Sequence, residues 1–119
     1  MFPIALWAVK RGWAARFRAY GSSLDPIIRS GQRVKVEPVD VGRLEVGDVV
    51  MVRVNGNDML HLVKAIDSGG GRVEIAGNNG EVNGWTKFDC VYAICTEIAG
   101  SPVAGASAKT RKMARARQG

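Results

Sequence analysis

Few residue types in this 119-residue chain can do covalent or metal chemistry, and they are thinly spread. His61 is the only histidine, and the only cysteines are Cys90 and Cys95. An imidazole ordinarily titrates near neutral pH, which suits it to take a proton from a hydroxyl. A serine hydroxyl is a weak nucleophile until a neighbouring base does so. One histidine without a CxxC pair supplies too few ligands for zinc, so the sequence implies no metal and no cofactor. Cys90 and Cys95 lie in FDCVYAICTEI. On one strand an odd separation sends their side chains to opposite faces, where they cannot readily pair. Free thiols favour a reducing, cytoplasmic setting, with a membrane-peripheral one as the alternative.

Ser23 stands in Gly21-Ser22-Ser23-Leu24-Asp25-Pro26. Taken alone, that stretch reads two ways. Ser23 caps a helix or turn ahead of Ile27-Ile28, or it is a hydroxyl presented on a tight turn. His61 lies in an apolar run and is by itself as compatible with a structural role as with a catalytic one. Met59 and Val63 share its face and fit a core or the wall of a groove. The 38 residues between Ser23 and His61 are easily bridged if their strands lie side by side.

The elements that would position these residues are mostly strands. Residues 4–14 carry good helix formers, with Ile4, Trp7 and Ala8 on one face and Gly12 weakening the far end. Residues 16–20 (RFRAY), 33–37 (RVKVE), 49–54 (VVMVRV), 59–66, 72–76 (RVEIA) and 91–98 read as strands. Asn55-Gly56-Asn57-Asp58 signals a hairpin, and Ser68–Gly71 and Gly77–Gly80 signal turns. Asn78 and Asn79 fit turn positions. Short strands at this spacing predict a mainly β fold: a small coiled antiparallel sheet or partial barrel with a short N-terminal helix. The expected organisation is an amphipathic helix over 1–14, a β domain over 15–98 and a basic, disordered tail over 99–119.

Several segments in order resemble the signal-peptidase and LexA-like serine peptidases, and the His-using, ER- or archaeal-type branch most of all. RFRAYGSSLDPIIRSGQRVKV resembles the nucleophile box, with Gly21, Ser23, Pro26, Ile28 and Gly31 matching. Leu24 stands in place of the usual Met and Gln32 in place of the usual Asp. Val46-Gly47-Asp48-Val49-Val50 resembles the GDVV element, and Leu60-His61-Leu62-Val63 resembles HRVV. Ala76-Gly77-Asn78-Asn79 resembles the GDN element, with Asn78 for Asp. The likeness spans roughly two thirds of the chain.

The resemblance implies a serine endopeptidase with Ser23 as nucleophile and His61 as base. Gly21, Ser22, Leu24 and Pro26 would shape the nucleophile turn, and the Ser23 backbone N–H would hold the oxyanion. It implies an orienting group for His61 at Asn78 or at the nearby Glu81, with Asp89 as a further carboxylate. The expected partner is an extended peptide or protein substrate added along a strand edge. The alternative is a weak or inactive member of the same fold, serving as a binding or assembly module.

Charge is uneven. Residues 1–24 and 99–119 hold Lys and Arg but no acid, while 25–98 is net acidic against an overall +6. The basic ends fit an anionic membrane surface or nucleic acid, or a solvated face. No apolar run reaches the length of a membrane span.

Overall fold

A computed structural model describes residues 3–111. Helix α1 (Pro3–Lys10) opens the chain. Pro3 suits a first helical position, and the end is set by Gly12 at φ +88°. There Gly12 N–H donates to Val9 O and Trp13 N–H to Ala8 O, which satisfies the last carbonyls. The helix buries Ala5, Ala8 and Val9 and leaves Ile4 and Trp7 outward. Of Ile4, Trp7 and Ala8, which share one face, only Ala8 is buried, beside Ala5 and Val9. Close approach to the sheet needs small side chains.

Eight strands follow: β1 (Ala15–Ala19), β2 (Gln32–Pro38), β3 (Val49–Val54), β4 (Asn57–Asp67), β5 (Arg72–Ala76), β6 (Val82–Lys87), β7 (Val91–Ile98) and the short β8 (Ser101–Pro102). They form one antiparallel sheet in the order β1-β2-β7-β3-β4-β5-β6, with β8 on β7. The sheet curls into a half-barrel. Asn55-Gly56, with both φ values positive, makes the two-residue turn between β3 and β4.

Strand β3 is buried on both faces, which explains its run of apolar residues. Val49 and Met51 join a core under α1 with Val9, Leu24, Ile28, Val34, Val36, Leu60 and Cys95. Val50, Val52 and Val54 face a second core with Val63, Val73, Ile75 and Ile94. Full burial of each such side chain stabilises by about 1.5–3 kcal/mol. Burial also pushes the Cys95 thiol up to about 12. Both cysteines are free.

Residues 99–111 are folded, which corrects the expected start of the tail at residue 99. Ala106 is buried in the second core, and Thr110 bridges Val39. Lys109 Nζ bonds Asp48 at 2.7 Å and Glu45 at 2.8 Å. Burial alone would lower the Lys109 pKa, but the hydrogen bonds to Asp48 and Glu45 outweigh it and hold it above the usual lysine range. Residues 112–119 lie outside the described residues, as does any expectation for them.

Candidate active site

The turn between β1 and β2 is shaped by Gly21 at φ +110°, a conformation that favours glycine. Its N–H donates to Ser30 Oγ at 3.0 Å, tying the start of the turn to its end. Leu24 and Ile28 point inward and are buried, so they anchor the turn to the first core. Ser22 and Pro26 are exposed, and the Ser22 carbonyl accepts from Asp25 N–H. Ser23, between the anchored Leu24 and the exposed Ser22, is half-buried and aims at β4.

Its hydroxyl lies 2.9 Å from His61 Nε2. That contact, rather than a helix cap, is what the side chain makes. On the far side of the ring, His61 Nδ1 lies 2.7 Å from Asn83 Oδ1. An amide oxygen only accepts, so Nδ1 carries the proton and the Nε2 lone pair faces the Ser23 hydroxyl. This is the tautomer a general base needs. The line Ser23–His61–Asn83 runs across three segments: the β1–β2 turn, β4 and β6.

Asn83 is the orienter, not Asn78 or Glu81. Between β5 and β6 the register passes from Ile75↔Gly84 to Ala76↔Val82, which leaves Asn83 as the extra residue of a bulge. A bulge takes one residue out of the ladder and re-aims its side chain. Gly84, at φ +126°, makes the backbone change that this requires. Strand β6 is also drawn over the β3 strand, with Thr86 Oγ1 donating to Arg53 O at 2.8 Å. Asn83 thereby reaches His61 although β6 is two strands away from β4.

Asn78 holds the Ser23 turn and not the His61 ring. Its N–H donates to Ser23 O at 2.7 Å, and its Nδ2 donates to Asp25 O at 2.6 Å. Two carbonyls of the Ser23 turn are thus held by the β5–β6 loop, at the opposite end of the sheet. Gly77 permits that approach, since a Cβ there would lie 3.1 Å from Ser23 O and 2.7 Å from Asn79 Oδ1. Glu81 is exposed, and its backbone closes the same loop, accepting from Gly77 N–H at 2.9 Å. Asp89 lines a different cleft with Lys10 and Arg111.

Compared with known proteins, the chain matches no family model and no curated protein.

Ser23 and His61 open into a cleft of about 300 Å³. One wall is the continuous stretch Arg18–Gly21 and the other is Asp58–His61, with Leu24 and Ile28 between them. Neither wall pairs with a further strand among the described residues. β1 ends the sheet, and β5 pairs with β4 only from Leu62 onward. At the rim, the Arg53 guanidinium meets Asp58 at 2.8 and 3.0 Å. Those hydrogen bonds hold the Asp58 carboxyl below the usual range. Met59 lines the cleft, whereas Val63 on the same face is buried core.

Proposed function

We propose that the protein is a serine endopeptidase of the signal-peptidase and LexA-like kind, acting through Ser23 and His61. The observation that carries the reading is the 2.9 Å contact from Ser23 Oγ to a His61 ring whose other nitrogen is capped by Asn83. His61 Nε2 takes the Ser23 proton as Oγ attacks a peptide carbonyl. The resulting imidazolium then donates that proton to the departing amine, and water repeats the sequence to release the acyl group. The Ser23 backbone N–H faces the developing oxyanion in this scheme, and the Asn78 bonds keep its turn in place.

The substrate is an extended peptide lying between the two free edges. Each edge presents main-chain groups in strand geometry, and a strand placed between them is hydrogen-bonded on either side. Such a strand crosses the cleft with its carbonyl groups next to Ser23.

A second reading keeps the cleft but not the turnover. Asn83 orients the imidazole but, being neutral, does little for an imidazolium. This favours a slow enzyme, or a binding and assembly module that holds a peptide without cutting it. A fluorophosphonate probe and a peptide-cleavage assay separate the two. Labelling and cleavage that vanish in both S23A and H61A support the peptidase. A folded protein that binds peptide but neither labels nor cleaves refutes the peptidase and leaves the module.

A further inference from the structure

The register of the first two strands sets like charges against each other. Arg16 lies opposite Lys35 and Arg18 opposite Arg33. Residues two apart on a strand share a face, so these four cations form one block on one side of the β1–β2 ladder. The alternate residues Phe17, Val34 and Val36 face the first core. Lys35 has carboxylates nearby, Glu37 and Glu97, each at 3.7 Å. Arg18 donates to Gly31 O at 2.9 Å and has no acidic partner among the described residues. Arg16 and Arg33 are exposed and have no acidic partner among the described residues.

Directly opposed like charges destabilise a strand pair, so the arrangement runs against folding. Charge on an edge strand can serve to discourage aggregation. That accounts for Arg16 and Arg18 on β1, but not for Arg33 and Lys35 on β2, which is paired on both sides. The block is also continuous with the cleft, because Arg18 belongs to both.

We infer that this block recognises acidic side chains at alternate positions of the extended peptide that pairs with β1. The inference rests on the strand-addition reading of the cleft and names the class of substrate it takes. A peptide paired to the free edge of β1 sets every second side chain on the outer face, beside Arg16 and Arg18. Ser23 lies beyond the C-terminal end of β1, so the acidic positions all fall on one side of the bond to be cut. Carboxylates there relieve the Arg16–Lys35 and Arg18–Arg33 repulsion as they bind, which couples recognition to the ordering of the edge. Nucleic acid or a lipid surface would meet the same charges, but neither uses the strand edge or the shared cleft.

The test uses the full chain as S23A, so that bound peptide is not consumed. Fluorescein-labelled peptides of about ten residues, with Glu at two alternate positions or with Gln at both, are titrated by anisotropy. The Glu peptide should bind about 2- to 30-fold more tightly, from the usual size of two opposite-charge cross-strand pairs. The preference should shrink at high salt. It should vanish in R16Q/R18Q and turn toward a Lys peptide in R16E/R18E, with thermal melts confirming that both variants fold. Equal binding of the Glu and Gln peptides would overturn the inference while leaving strand addition intact. Binding of neither would overturn both. Equal peptide binding with duplex DNA or phosphatidylserine vesicles held through Arg16 and Arg18 would also overturn it, and would assign the block to a polyanion.

Discussion

Replacing Asn83 by Asp should make the site faster. The substitution is nearly isosteric, and Oδ1 already lies 2.7 Å from His61 Nδ1, so no rearrangement is required. In the proposed mechanism, what changes is the charge beside the imidazolium that forms as Ser23 attacks. Two unit charges about 4 Å apart in a medium of effective dielectric near 20 attract by about 4 kcal/mol. Desolvating the new carboxylate takes back part of this, and roughly 1.5–3 kcal/mol of net gain corresponds to about 10- to 100-fold in kcat. For comparison, the opposite change in the best-studied serine protease costs about 10⁴-fold, largely through the wrong tautomer. A carboxylate also stabilises protonated His61 in the resting enzyme, so the acid limb of the rate profile should move to higher pH. The assay is kcat and KM on one peptide from pH 5 to 9 for the native protein, N83D and N83A. N83A should lose about 10-fold or more in kcat with little change in KM, because the ring loses its orientation. If N83D and N83A both match the native protein in rate and pH profile, Asn83 does not govern His61 and the reasoning fails.

Other perturbations follow from the same contacts. N78A removes the Nδ2 bond to Asp25 O but keeps the backbone bond to Ser23 O. It should lower kcat several-fold and cost about 1 kcal/mol in denaturant unfolding. G77A should do worse, since its methyl presses on the Ser23 carbonyl, and loss of probe labelling in a still-folded protein would register it. K109M breaks two ion pairs and leaves the largely buried Asp48 unpaired, so it should cost about 2 kcal/mol by the same measurement. Asp58 and Asp67 are held below the usual carboxylate range, Asp58 chiefly by Arg53 and Asp67 chiefly by the Gly70 N–H. The unfolded chain therefore takes up protons first, so melting temperature should fall as pH drops through and below about 4. A flat profile there would mean these contacts do not add to folding stability.

The parts of the fold that announce themselves in the sequence are those with strong patterns. The alternation in 33–37, the β-branched run at 49–54 and the Asn55-Gly56 turn lead directly to β2, β3 and the hairpin. Ser23 and His61 were legible for a different reason, the order of short motifs around them. Strand β6 was not legible, because VNGWTK has neither alternation nor a β-branched run and contains a glycine. Its pairing comes from tertiary curl and a bulge, which no local pattern encodes. Asn83 was hidden with it, whereas Asn78 and Glu81 on the preceding loop and the carboxylate of Asp89 stand out by motif and charge. The fold of 99–111 is not legible for a related reason. Its anchoring rests on single residues, Ala106 in the core and Lys109 on two acids, too sparse to give a periodic signal.

The line from Ser23 through His61 to Asn83 joins the first strand's exit, the middle of the sheet and its last strand. Only a fragment that spans residues 23–83 holds all three, and the two loops that meet at Ser23 belong to opposite ends of the strand order. Contacts this distant in sequence close late, because the chain between them must first be ordered. In the proposed mechanism, nucleophilic reactivity at Ser23 therefore depends on the finished half-barrel. Covalent labelling of that one hydroxyl would then report complete folding.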